Sequence, residues 1–335
     1  MTPPRDLTLH VPATAAGQRL DVFLASALGG ASRSHAARLV RDGQVLVDGR
    51  PAAKGADVTA GSTVIVRAFV PPAEREVPAN PELPVHVVHE DADVVVLDKP
   101  PGLPTHPNRF DDDHTVVSFL LARYPEIRGV GDDRLRPGIA HRLDTDTSGL
   151  LVAARTRAAY DHLRHQFDLR HVEKDYLALV LGVPRALEGE IDLPLGHHPS
   201  DPRRMVAVTG ERVRTRGDPR PARTRYETIE RFGTEFALLR VATLSGRMHQ
   251  VRVHLDAIGH PLAGDVLYLG PRRRKRDSSG LERHFLHAAR LAFEHPAGGR
   301  LELRSPLPPD LAATLERLRA RQPAPPSLDS PPRRR

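Results

Sequence analysis

Prolines stand at positions 71, 72, 78, 81 and 84 of the 335-residue chain. Proline fixes φ and has no N–H to donate, so no helix or central strand can run through such a stretch. The chain is therefore divided into a small leading block and a larger following one. About two domains is also what roughly 150 residues per domain would suggest. The expected organisation is a small module over 17–68, a linker over 69–84, a main domain over 85–318 and a Pro/Arg-rich disordered tail over 319–335.

The leading block has a clear pattern. Leu20, Phe23, Leu24, Ala27 and Leu28 recur at helical spacing, and Gly29-Gly30 ends the run. Ser32 is placed to cap a second helix through Arg41, closed by Gly43. Val45-Leu46-Val47, Asp48-Gly49 and Arg50-Pro51-Ala52 predict a strand and tight hairpin, and Thr63–Arg67 a last strand. The second helix carries Arg33, His35, Arg38 and Arg41, which as residues alone could be an ordinary solvated face.

In the larger block, Val94–Leu97 and Leu150–Ala154 are short apolar runs that predict buried strands. Tyr176–Leu181 and Phe236–Val241 predict two more. A helix is expected from Thr156, carrying Ala159, Leu163 and Phe167. Another is expected where Met248, Val251, Leu255 and Ile258 repeat, ending at Gly259. On that helix His249, Arg252 and Asp256 would share the face opposite Met248, Val251 and Leu255. Arg272–Ser279 is expected to be an exposed loop. Strands outnumber helices without βαβ alternation, which predicts an α+β fold with a mainly antiparallel sheet.

Composition removes whole classes of chemistry. No cysteine is present, which excludes disulfides, thiolate metal sites and cysteine nucleophiles. There is no Walker-type or dinucleotide glycine loop and no Gly-x-Ser-x-Gly elbow. Eighteen histidines invite a metal, yet none falls in a His-Glu-x-x-His pattern, and no metal site is expected. No apolar run is long enough to span a membrane. Met1–Ala16 lacks a basic region followed by an apolar block, so the cytoplasm is the expected compartment. The formal charge is +7, and arginines (45) far outnumber lysines (four). Arginine forks phosphate oxygens and stacks on bases, so a polyanion such as RNA suits this surface.

The densest polar stretch is His141-Arg142-Leu143-Asp144-Thr145-Asp146-Thr147-Ser148-Gly149, immediately before a buried strand. A carboxylate there could be a nucleophile, a base or a turn former. A second stretch, Gly246-Arg247-Met248-His249-Gln250-Val251-Arg252-Val253-His254-Leu255, could hold an arginine rigidly for a carboxylate elsewhere, or could be a solvated face.

Arg19-Leu20-Asp21, Ser32-Arg33-Ser34 and Gly43-Gln44-Val45-Leu46-Val47-Asp48-Gly49 resemble an S4 RNA-binding domain. That likeness implies RNA contacts at Arg33, Ser34, Arg38 and Arg41. The larger block resembles the RluA family of pseudouridine synthases. The signature is His141-Arg142-Leu143-Asp144 with Thr147-Ser148-Gly149-Leu150. Upstream lie His89-Glu90-Asp91, Asp98-Lys99-Pro100-x-Gly102-Leu103 and His106-Pro107. Downstream lie Lys174-x-Tyr176-x-Ala178-Leu179-Val180-x-Gly182, the Gly246–Leu255 stretch with Gly259-His260-Pro261-Leu262-x-Gly264-Asp265, then Leu286-His287-Ala288 and His295-Pro296. Met248 stands where the family commonly has threonine.

The resemblance implies isomerisation of uridine in RNA to pseudouridine, without a cofactor. It implies Asp144 as catalytic carboxylate, Arg252 as its partner and Tyr176 packing on the base. Arg142 would fill the space left by the flipped nucleotide, with His249 and Gln250 binding substrate. His141 would orient the loop, and Lys99 would belong to the fold around the site. The N-terminal S4 module and Leu135–Ala140 resemble the RluD-type branch, implying 23S rRNA or a large-subunit precursor as partner and a monomeric enzyme. A tRNA substrate, and a non-catalytic RNA-binding factor, are the alternatives. A glycosidase would need two carboxylates flanking the bond, and Asp144 has no evident second.

Overall fold

The computed structural model of the chain describes residues 5–29, 31–71 and 74–321. It divides into Met1–Glu76 and Val77–Arg335. Of the tail expected over 319–335, Arg319 and Ala320 instead end a helix, Pro309–Ala320, and the residues beyond 321 lie outside the described residues.

The first unit contains β1 (Arg5–His10), α1 (Leu20–Ala27), α2 (Arg33–Arg41), β2 (Val45–Val47), β3 (Arg50–Pro51) and β4 (Thr63–Phe69). Its sheet runs β1-β4-β2-β3. Ser32 accepts the His35 N–H at 3.2 Å, which caps α2 where its sequence placed the cap. Asp48 and Gly49 both have positive φ, as a two-residue hairpin turn requires. The strand β1 is an addition to the expected module. It pairs antiparallel with β4, and Leu7 and Leu9 pack on a core of Leu20, Phe23, Leu24, Val64 and Val66. The module therefore starts well before residue 17, and Phe69, expected in the linker, is a buried strand residue.

The second unit contains β5 (His86–Glu90), β6 (Val94–Lys99), α3 (Val116–Arg123), β7 (Ser148–Ala154), α4 (Arg157–Leu169), β8 (Glu173–Leu181), β9 (Glu188–Asp192), β10 (Leu195–His197), β11 (Met205–Ala207), β12 (Arg216–Arg220), β13 (Arg223–Phe232), β14 (Phe236–Thr243), α5 (Gln250–Ala257), α6 (Pro271–Arg276), β15 (Leu286–Glu294), β16 (Arg300–Arg304) and α7 (Pro309–Ala320). Val77 and Leu83, expected in the linker, belong to its core. The helix α6 replaces the loop expected there. It begins with Pro271 at its first position, where the missing N–H costs nothing. Among the described residues no helix is long and apolar enough to cross a membrane.

The main sheet runs β5-β6-β7-β15-β8-β14-β13-β9, with β16 also on β15. Its pairings are antiparallel except one: β7 meets β15 in parallel at Ser148–His287 and Gly149–Ala288. At that junction a Cβ on Gly149 would sit 2.3 Å from the Ala288 carbonyl oxygen, so only glycine lets the two strands meet. The polar stretch 141–147 enters the sheet here, at its centre. The small sheet β11-β10-β12 brings Leu195 and Met205 into a cluster with Val253 and Tyr268.

Candidate active site

The loop preceding β7 is fixed by side chains from distant parts of the unit. Thr105 Oγ1 donates to the Leu143 carbonyl at 2.8 Å and accepts the Leu143 N–H at 3.1 Å. Lys99, fully buried, gives its Nζ to the carbonyls of Pro100, Leu103 and Thr145, each at 2.8 Å. Burial pushes this amine down to about 7, while three carbonyls match the three donors that only the ammonium carries. Arg283 donates to the Asp146 carbonyl at 2.9 Å. Lys99 is thus a clamp on the loop, enclosed on all sides. His141 Nε2 accepts the Val152 N–H at 3.1 Å. Burial lowers that imidazole to about 3, so it remains a neutral acceptor.

Held this way, Asp144 meets Arg252 of α5, with Nη1 3.1 Å from its Oδ2. Burial pushes the Asp144 carboxyl up, but the charges of His249 and Arg252 outweigh it, and the group lies below the ordinary carboxylate range. His249 is itself lowered by burial, so at neutral pH Arg252 carries the stabilisation of the carboxylate.

The arginine is fixed in turn by Asp265, which sequence reasoning did not single out as a site residue. Arg252 Nε and Nη2 make a two-pronged contact with its carboxylate at 2.8 and 2.9 Å. Asp265 also accepts the Leu267 and Tyr268 N–H groups at 3.1 and 3.2 Å. Its side chain is 1% exposed and that of Arg252 7%, against 17% for Asp144. One guanidinium therefore joins a sealed carboxylate to one that faces the cleft. The forked pair fixes the angle at which the arginine reaches Asp144.

Tyr268 adds a second line of control. Its oxygen accepts the Met205 N–H at 2.9 Å, so its own proton is available to His249 Nδ1, 2.8 Å away. That arrangement leaves Nε2 of the neutral imidazole protonated. Nε2 lies 3.9 Å from Asp144 Oδ2. His249 adopts left-handed backbone angles immediately before α5. It is not on the helix with Arg252 and Asp256, as the spacing predicted. The expected polar face is also absent: residues 250–255 are all buried, because the main sheet and the small sheet enclose the helix.

Gln250, expected to bind substrate, is used up within the protein. Its Oε1 accepts from Ser245 Oγ (2.8 Å) and the Arg247 N–H (3.1 Å). Its Nε2 donates to the Arg223 carbonyl (2.8 Å) and Thr224 Oγ1 (3.0 Å). All four of its hydrogen-bonding positions are taken, so it positions the 245–247 loop and has none left for a ligand.

Above Asp144 opens a cleft of about 550 Å³. Tyr176 of β8 lines it, and burial together with the Asp144 charge pushes its hydroxyl far above the ordinary range. Arg142 lines it and is exposed. The lining holds seven lysines and arginines against three aspartates, a balance that favours a polyanion. In the first unit Arg33, Ser34 and Arg41 are exposed on α2. Arg33 lies 3.2 Å from Asp21, Arg41 3.5 Å from Asp42, and Arg38 reaches His35 Nδ1 at 3.0 Å.

One group among the described residues has donor atoms close enough to hold a metal ion: His89, Asp91 and His295. The donor chemistry does not suit one. His295 Nδ1 accepts the Ala297 N–H at 3.1 Å, which keeps the proton on Nε2, the nitrogen that would have to bind the ion. That proton instead serves Asp91 Oδ2 at 3.0 Å.

Comparison with known proteins agrees with this architecture. Residues 18–64 match the S4 domain model and residues 93–257 the RNA pseudouridylate synthase model. An uncharacterised RNA pseudouridine synthase of Chloroflexus aurantiacus is 45% identical over 312 residues, covering 93% of each chain. A ribosomal large subunit pseudouridine synthase D of Nitrosomonas europaea is 38% identical, covering 93% of this chain and 88% of that one. The solved structure of human RNA pseudouridylate synthase domain containing 1 is 27% identical with a TM-score of 0.55, covering 72% of this chain and 97% of that one. With its S4 module, its sheet and the similarity running along nearly its whole length, the chain belongs to the RNA pseudouridine synthase family.

Proposed function

We propose that this enzyme isomerises uridines of large-subunit ribosomal RNA, the 23S rRNA or its precursor, with Asp144 as the catalytic carboxylate. The observation that carries the reading is the Asp144–Arg252 pair at 3.1 Å in a cleft rich in cations. The reaction breaks the bond between C1′ and the base nitrogen, turns the base, and joins C5 to C1′ of the same ribose. An ionised carboxylate serves it either by attacking C1′ or by removing a ribose proton, and Arg252 keeps Asp144 ionised despite its burial. Neither C1′ nor C5 can be reached inside a helix, so the nucleotide must leave the stack. Arg142, exposed at the rim, fills the space it vacates. Tyr176 packs on the base, and its raised hydroxyl stays neutral beside the carboxylate. The choice of RNA follows from relatives named for large-subunit rRNA that match over more than nine-tenths of this chain. The enzyme acts as a monomer in the cytoplasm, and Arg33, Ser34, Arg38 and Arg41 of α2 grip structured RNA.

The test is pseudouridine mapping by carbodiimide adducts and primer extension on unmodified 23S rRNA, with a tRNA pool in parallel, comparing the parent enzyme with Asp144→Asn. New stops in 23S rRNA that vanish with the substitution are the expected result. Stops only in tRNA would overturn the substrate and keep the chemistry. RNA binding without stops, on naked RNA and on ribosomal particles, would favour a binding factor.

A further inference from the structure

Five consecutive cations, Arg272 to Arg276, form the short helix α6, and none of its residues is buried. Among the described residues only Arg273 has an acidic partner: its Nη1 lies 2.5 Å from Asp256 Oδ1. Among the described residues, Arg272, Arg274, Lys275 and Arg276 make no hydrogen bond or ion pair through their side chains. Adjacent like charges repel, and no packing of α6 requires them. The fold nevertheless holds this helix at both ends. Arg273 ties it to α5 one turn beyond Arg252, about 6 Å along that helix axis. Asp277, just after α6, accepts the Gly264 N–H at 2.7 Å, next to Asp265. The helix is thus fastened to the two segments that supply Arg252 and its forked partner.

We propose that α6 is a docking surface for the phosphodiester backbone of RNA lying beyond the catalytic cleft, with Arg272, Arg274, Lys275 and Arg276 contacting phosphates. Arginine suits this ligand because its fork matches phosphate oxygens, and positive charge on RNA displaces condensed counterions. The anchors set where the strand lies relative to Asp144, so α6 adds binding energy that holds the RNA on the enzyme equally before and during the reaction. The inference rests on RNA as substrate class and not on the choice of 23S rRNA.

The test uses the full chain and a fluorescein-labelled RNA hairpin, with binding followed by anisotropy from about 50 to about 200 mM salt. One variant carries R272Q, R274Q, K275Q and R276Q; a second carries R272K, R274K and R276K, which keeps the charge. Each phosphate contact contributes about 0.7 to 0.9 to the slope of log affinity against log salt. The neutralised variant is expected to lose about 2.8 to 3.6 from that slope and at least tenfold in affinity. On unmodified rRNA its KM is expected to rise at least fivefold with kcat at saturation unchanged. The lysine variant is expected to keep the parent slope. A parent-like slope in the neutralised variant would overturn the proposal, since that is the behaviour of a merely solvated face. Equal loss in both variants would also overturn it, since charge would not be the cause.

Discussion

Replacing Arg252 by methionine keeps most of the side-chain volume and removes the charge shared by two carboxylates. Asp265, 1% exposed, is then left without its cation. Removing one partner of a buried pair typically costs about 3–5 kcal/mol. For a unit of this size each kcal/mol corresponds to roughly 2–4 °C, so Arg252→Met is expected to lower Tm by roughly 6–20 °C. Asp144 is affected differently. Burial alone raises its carboxyl, and Arg252 is the fixed charge that opposes it. Without Arg252 the carboxyl rises, and the acid limb of the pH–rate profile moves to higher pH. Loss of one such electrostatic contact typically costs about 10²–10³ in rate. A double variant separates the two effects. Asp265→Asn in the Arg252→Met background removes the stranded charge. It is expected to restore most of the lost Tm and none of the lost activity. Calorimetry measures the first, and tritium release from RNA labelled at uridine C5 the second. If the double variant is as unstable as the single one, the stability argument fails. If it recovers activity, the assignment of Arg252 to Asp144 fails.

Tyr268→Phe removes the hydroxyl that accepts the Met205 N–H and sets the His249 tautomer. It is expected to cost about 1–3 kcal/mol for the stranded N–H and roughly five- to tenfold in kcat, about one hydrogen bond's worth. An unchanged kcat at unchanged fold would exclude control through His249. His284 is held at about 3 by burial, while Thr147 Oγ1 lies 2.8 Å from its Nε2. Its folded value is below its unfolded one, so the unfolded chain binds more protons between about pH 3 and 6.5, and stability falls as pH drops through that window. The slope is at most about 1.4 kcal/mol per pH unit for this group. Denaturant melts of parent and His284→Gln are expected to diverge below pH 6.5 and to run parallel above it. Parallel curves throughout would mean that His284 does not contribute.

Local signals in the chain translated well into local structure. Ser32 capped α2, Asp48-Gly49 turned the hairpin, and the apolar runs at 94–97 and 150–154 became β6 and β7. Elements without an apolar period were hidden. All five residues of β12 are exposed, so no alternation marks it, and α6 has no apolar side at all. By contrast β1 carried a readable signal, Leu7 and Leu9 alternating with polar residues and Val11 continuing the alternation just beyond its end. The pairing of Asp144 with Arg252 was visible only through family resemblance. The two residues are 108 positions apart, and no spacing rule reaches that far.

The surroundings of Arg252 show what the sequence could have yielded and why it was missed. At 100° per residue, Val251 and Leu255 lie on one side of α5 and Val253 on nearly the opposite side. A helix with apolar residues on opposite sides is buried all round, and α5 is. Arg252 on such a helix has no solvated face, so its charge must be met inside the protein. Its five N–H donors cannot be satisfied by Asp144 alone. The helix pattern therefore calls for further acceptors inside the protein, and here a second carboxylate supplies them. Asp265, thirteen residues on and followed by apolar residues, was one of two aspartates in that stretch able to supply it. The other, Asp256, sits one turn along the same helix and is turned instead to Arg273. The same physical demand that buries the arginine thus divides the two aspartates, one to aim Arg252 at Asp144 and one to tether the basic helix.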